Sequence, residues 1–287
     1  MSDNDYSRAE KIVQQMAIPP RPQVLITLRE ETAKRSSNIN NIIDAISKDV
    51  SLSSAVLQIA NSPAFGLRNK IASIHQAVTR LGLGRVERLV TTVAMRAAVS
   101  RDLPLESFWD SASEIAFLCT KIAPQVSGIS PDDAYMAGLF HDCGIPLLMM
   151  QFENYQHTLQ EQKHEQHIPC TQIEDEIFEI NHSIVGYLLC EKWFLPYQIG
   201  VAVLYHHDYF IQPNGTGVHN SANCDIGTLI AILKIAEYIH ASIHKFIHDE
   251  ENIEWQHIRA SVLNYLELTD EEFIALKNEM VEVLEAC

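Results

Sequence analysis

The 287-residue sequence has 47% hydrophobic and 20% charged residues, a balance that excludes a disordered chain and allows one large domain or two helical lobes. Only 11 glycines and 11 prolines leave too few turns for an all-β fold. A formal charge of −16 argues against a nucleic-acid partner, which needs clustered Lys and Arg; Arg80, Arg85, Arg88 and Arg96 read as one solvated helix face.

In chain order, residues 1–17 form a polar lead-in, and Pro19, Pro20 and Pro22 open the first helix, with Val24, Leu25 and Leu28 as its apolar stripe. Asn38 is expected to cap a helix carrying Ile42, Ile43 and Ile46, and Ser51 the next, through Ala55, Val56 and Ile59. Ser73 caps a segment with Ile74, Ala77, Val78 and Leu81 at 3.6-residue spacing, and Gly82 stops it. A longer helix follows through Val86, Leu89, Val90, Val93 and Ala97, before a break at residues 102–104.

Phe108 to about Val126 is expected to be amphipathic helix. Ser130-Pro131-Asp132-Asp133 combines a cap, a first-turn proline and acids facing the positive dipole end, and its helix runs into His141-Asp142. Thr171 with Glu174, and Thr269 with Glu272, have capping-box spacing. Between them lie helices around 182–194, 196–207 and 228–246, with residues 209–227 as the one long irregular loop.

Met1 to Tyr6 is polar, with no leader-like apolar run behind it, and no window offers the roughly 18 uncharged apolar residues of a membrane span. The six cysteines are scattered without a C-x-x-C pair. A cytoplasmic chain with reduced thiols is expected.

The residues that could carry chemistry are histidines and acids near helix ends: His141-Asp142, His182 and His206-His207-Asp208. Imidazole with carboxylate suits zinc, iron or manganese, and helices of a bundle can deliver such ligands to one point. The same residues would also serve as hydrogen-bonded core histidines or caps. No G-x-S-x-G elbow, Walker loop or G-x-G-x-x-G turn occurs, and Asn214-Gly215-Thr216-Gly217 reads as a flexible turn. Cys143 beside His141 is not read as a nucleophile, because helix residues two apart point away from each other.

Two stretches carry a resemblance. Ala60-Asn61-Ser62-Pro63-Ala64-Phe65-Gly66, followed by Ser73-Ile74-His75-Gln76-Ala77 and Leu81-Gly82-Leu83, resembles the N-terminal part of the HDOD family, the HD-related output domains of bacterial signalling proteins. Ala137-Gly138-Leu139-Phe140-His141-Asp142-Cys143-Gly144 looks like the HD motif itself. His182-Ser183-Ile184-Val185-Gly186, Trp193-Phe194-Leu195-Pro196 and Tyr205-His206-His207 continue the pattern in order.

The resemblance implies an all-α, multi-helix HD-superfamily-like bundle over 18–213. Its N-terminal helical lobe would reach about residue 105 and its HD-like core would start at about 106, with 214–287 supplying a loop and C-terminal helices that pack on the core. It also implies a remnant metal site of His141, Asp142, His182, His206, His207 and Glu237, for a divalent cation such as Mn, Fe, Zn or Mg. Two positions depart from the catalytic pattern: Ser111 falls where a first-helix histidine is expected, and Ile145 replaces a lysine after the H-D-x-G turn. No G-Y-P element follows the paired histidines. The expectation is a non-catalytic signalling module that contacts a separate signalling protein, with no assigned catalytic residue. The alternative is a metal-dependent phosphohydrolase acting on a nucleotide or phosphate ester.

Overall fold

Every regular element among the described residues is helical. The computed structural model describes residues 22–34, 38–62, 67, 69–100, 103–126, 128–159, 170–208, 210, 224–244 and 252–286. The lead-in 1–17, Pro19-Pro20, positions 63–66 of the first motif, residue 102 and most of the irregular loop, including 214–217, lie outside them. The chain divides into two units, Pro19–Asp102 on one side and Met1–Ile18 with Leu103–Cys287 on the other.

The smaller unit contains α1 (Gln23–Thr32), α2 (Ile39–Ser47), α3 (Val50–Ala60), α4 (Ile74–Leu81) and α5 (Leu83–Val99). Asn38 caps α2 and Ser73 caps α4 as their side chains predict. The cap of α3 is Asp49 rather than Ser51: its carboxylate accepts from the Leu52 N–H at 2.9 Å, placing the helix start two residues earlier. A carboxylate satisfies an orphan N–H and also faces the helix dipole, so it outcompetes a serine two residues on. Gly82 ends α4 at φ 83°, a conformation glycine adopts without strain.

Asn61 gives the first motif a structural purpose. Its amide donates to the carbonyls of Leu57 and Ile71, both at 2.8 Å, and accepts from the Ile71 N–H at 2.7 Å, tying the end of α3 to the segment that leads into α4.

The larger unit contains α6 (Glu106–Ile122), a 3-10 turn (Ala123–Gln125), α7 (Pro131–Phe140), α8 (Ile145–Gln151), α9 (Cys170–Phe178), α10 (His182–Lys192), α11 (Tyr197–Tyr205), α12 (Cys224–His244), α13 (Ile253–Tyr265) and α14 (Asp270–Glu285). Ser130 caps α7, and a full capping box at Thr269 and Glu272 starts α14. The matching box at Thr171 does not form. Thr171 lies inside α9, and Glu174 spends its carboxylate elsewhere.

Helix α12 is the central element. Ile226, Leu229, Ile230, Ala231, Ile232, Leu233, Ile235, Ala236 and Ile239 are all buried, as a helix apolar on every side must be. Each buried Leu or Ile contributes about 1.5–3 kcal/mol of transfer free energy. Ile226–His244 is long and apolar enough to cross a membrane by length and composition, but 78% of that stretch is buried inside the protein, and it carries Lys234 and Glu237.

Candidate metal centre

The site begins with a steric fact. A Cβ at Gly144 would lie 2.1 Å from the His182 carbonyl oxygen and 2.8 Å from the Gly186 nitrogen. Only glycine lets the turn between α7 and α8 meet the first turn of α10 backbone to backbone. That meeting sets His141 and Asp142, at the end of α7, beside His182, the first residue of α10. His206 and His207 follow α11, and α12 brings Glu237.

The side chains converge on the Asp142 carboxylate. Its Oδ2 lies 3.1 Å from His141 Nε2, and its Oδ1 lies 3.3 Å from His182 Nε2 and 3.5 Å from His206 Nε2. His207 Nε2 stands 3.1 Å from His182 Nε2, and Glu237 Oε1 stands 3.7 Å from His141 Nε2. One donor atom from each of Asp142, His182, His206 and His207 fits within a 4.8 Å span.

All four imidazoles are oriented the same way. Nδ1 faces outward, bonded at 2.7 Å to the carbonyl of Gly138 in His141 and of Val203 in His206, at 2.7 Å to Glu174 in His182, and at 3.2 Å to Glu254 in His207. Carbonyls and carboxylates only accept, so each Nδ1 carries a proton and each Nε2 points inward. This is the tautomer that outer partners impose on metal-bound histidine. Glu174 is itself held, by the Tyr155 hydroxyl and by the His182 N–H at 2.9 Å, and is fully buried.

Electrostatics divide the imidazoles into two pairs. Burial opposes the charging of His141, but Asp142 and Glu237 outweigh it and raise the pKa to about 8. His182 is likewise opposed by burial and lifted by Glu174 and Asp142, to about 10. Burial pushes His206 down to about 3, with His207 adding to it, and burial with the Lys234 charge holds His207 at about 4.

A neutral His206 therefore aims a lone pair at the Asp142 carboxylate. Its buried Nε2 has no hydrogen-bond partner. Two acceptors facing each other across 3.5 Å, in a site that crowds three more inward imidazole nitrogens, fit a cation held between them. His141, Asp142, His182, His206, His207 and Glu237 would hold it, and it would supply a Lewis-acid centre with a bound water of lowered pKa.

Lys234 stands next to this group. Its ammonium is buried, 3.0 Å from Glu237 Oε2 and 2.7 Å from Glu254 Oε1. The Glu254 contact is a hydrogen bond, whereas the Glu237 contact is an ion pair without hydrogen-bond alignment. Burial alone would lower the lysine pKa, but the two carboxylates raise it and keep it charged.

Of the two degenerate positions, Ser111 is part-exposed on α6, with no hydrogen bond or ion pair to the histidines among the described residues, and Ile145 starts α8. Cys143 is buried, and its thiol is pushed up by Cys190 and by burial, the state of an inert thiol. The sequence assigns Glu174 only a capping role and gives Glu254 and Lys234 none. Glu254 lies 47 residues from the His207 it holds, whereas Glu174 is eight residues before His182 and Lys234 three before Glu237.

Comparison with known proteins bears on the fold and the family. An uncharacterized protein of Treponema pallidum (strain Nichols) is 25% identical over 193 residues, covering 67% of this chain and 38% of that protein; the chain thus spans well under half the length of this relative. A crystal structure from Shewanella amazonensis SB2B, described as a candidate phosphohydrolase, superposes with a TM-score of 0.71 at 21% identity, covering 96% of this chain and 93% of that one. Another, from Marinobacter aquaeolei VT8 and described as a candidate signal transduction protein, has a TM-score of 0.64 at 21% identity, covering 93% of this chain and 58% of that one. At these identities the structures establish the helical fold alone. The HDOD domain model matches residues 18–209, and the chain belongs to the HDOD family.

Proposed function

We infer that this chain is an HDOD-type signalling module acting through contacts with a separate signalling protein, and that its HD core holds a single divalent cation. The observation that carries this reading is Lys234. Two-metal phosphohydrolases place cations about 3.5–4 Å apart to clamp attacking and leaving oxygens. Here four inward donors lie within a 4.8 Å span, and the buried ammonium already sits on Glu237 Oε2 and Glu254 Oε1, oxygens that a neighbouring second cation would need, leaving Glu237 Oε1 to the histidines. The Ile145 side chain offers no charge for a phosphate. A lone centre of this kind ties α7, α10, α11 and α12 together and links cation binding to the packing of the larger unit.

A hydrolase reading is favoured by one feature: Asp142 and Glu237 keep 28% and 22% of their side-chain surface exposed, so a substrate could reach the cluster. Hydrolysis separates the two. Protein stripped of metal and reloaded with manganese or iron should cleave cyclic di-GMP and simple phosphate esters no faster than a His141→Ala, Asp142→Ala variant. Metal-dependent turnover abolished by those two changes would establish the hydrolase.

A further inference from the structure

A second constellation sits on the same central helix, away from the HD motif. His240 and His244 are four residues apart on α12, the spacing that places two side chains on one helix face. Their rings lie 4.6 Å apart, and both Nε2 atoms address one oxygen of Glu114 on α6: Oε2 is 3.1 Å from His240 and 2.6 Å from His244. The three donor atoms lie within 4.8 Å of one another.

We propose that Glu114, His240 and His244 form a second, solvent-open site for a divalent cation of the zinc class, clamping the C-terminal end of α12 to α6. Two imidazoles and one carboxylate make a donor set that zinc takes in protein sites with an open fourth position. Nitrogen donors disfavour magnesium and calcium, which prefer all-oxygen surroundings. The position is also accessible: His240 is buried, but the His244 and Glu114 side chains are 46% and 37% exposed, so a cation can enter and keep a water or accept a ligand from outside.

The consequence runs along the helix. Glu237, in the HD cluster, is three residues before His240, a rise of about 4.5 Å at 1.5 Å per residue. A cation at the outer site would fix the end of the helix that carries Glu237 and Lys234, so zinc availability would reach the HD cluster through α12.

The test compares the parent protein with His244→Ala, Glu114→Gln and His75→Ala, titrating zinc by calorimetry and recording the visible absorption of cobalt(II). Both changed side chains of the site are part-exposed, and His75 is an exposed histidine of the smaller unit, remote in sequence. Binding at the HD cluster is common to all four proteins, so differences between them report the outer site whether or not that cluster takes zinc. The parent should bind one equivalent that His244→Ala lacks. Glu114→Gln should weaken that equivalent by at least the roughly 10- to 100-fold that loss of a mere outer-shell partner costs. His75→Ala should match the parent. Equal stoichiometry and affinity in all four, or an equal loss in His75→Ala, would overturn the site, and if His244→Ala fails to fold, Glu114→Gln decides alone.

Discussion

Helix α12 carries two histidine–carboxylate clusters built on opposite plans. Around Asp142, the imidazoles are anchored through Nδ1 by carbonyls or by Glu174 and Glu254, and Glu174 is anchored in turn. Around Glu114, one carboxylate oxygen receives two imidazoles, and two of the three side chains are more than a third exposed. The first arrangement fixes tautomer and ring orientation before any ligand arrives. In the second, two imidazoles share a helix face, the carboxylate comes from α6, and solvent reaches two of the three side chains. Pre-orientation lowers the ordering cost of binding, so the inner cluster should hold its cation tightly and the outer one should exchange it.

The largest effect should come from the contact that assembles the inner cluster. Gly144→Ala puts a methyl group 2.1 Å from the His182 carbonyl oxygen, and the obstacle is backbone rather than a side chain that can swing away. Overpacking of this kind costs about 3 kcal/mol or more. Urea unfolding should record that loss, and cation binding at the inner cluster should fall with it. An unchanged midpoint would mean that the turn and α10 approach less closely than the geometry requires.

The next largest effect should come from the anchor of His182. Glu174→Gln keeps size and one acceptor but removes the buried charge that fixes Nδ1–H. Loss of such an outer partner typically weakens metal binding by about 10- to 100-fold. Calorimetry on parent and variant should show that drop, with the number of bound equivalents unchanged. Equal affinity would mean that His182 is not a ligand.

How much of this was legible in the sequence depends on how far apart the interacting residues are. The HD pair, His182 and the His206-His207 pair are recognisable because each sits in a short ordered motif, and the structure brings them to one point with Glu237. Caps were legible where one side chain competes with no better neighbour, as at Asn38, Ser73, Ser130 and Thr269. Tertiary demand overrides local spacing elsewhere. Glu174 has capping-box spacing from Thr171, yet His182 and Tyr155 claim its carboxylate. Glu254 and Lys234 were invisible because their meaning depends on α13 meeting α12. His240 and His244 did leave a trace, the four-residue spacing, but Glu114 lies 126 residues away from the first of them and no local pattern joins the two.

The most gradual effect is the dependence of stability on pH, and it tests the anchoring of the inner cluster from another side. In the cation-free protein His141 and His182 have pKa values raised to about 8 and about 10. The stability their charged forms contribute is complete below the ordinary histidine value of 6.5 and is lost as pH rises through 8 towards 10. His206 and His207, lowered to about 3 and about 4, act in the opposite sense: their contribution is present above 6.5 and is lost as pH falls towards 4. The two pairs together place a stability maximum near pH 6.5. Because Asp142 is 28% exposed, solvent screens the central carboxylate and trims the alkaline loss, which should appear as a steady fall in Tm from about pH 6.5 to about pH 9. A bound cation replaces the protons on the inward Nε2 atoms, so saturating manganese or zinc should flatten the alkaline limb. It should also steepen the acid limb, where protons compete for the ligands. Thermal unfolding with chelator and with excess metal, followed from about pH 5 to pH 9, measures both limbs at once. An alkaline limb unchanged by metal would show that His141 and His182 keep their protons in the presence of the cation, and their assignment as ligands would fall.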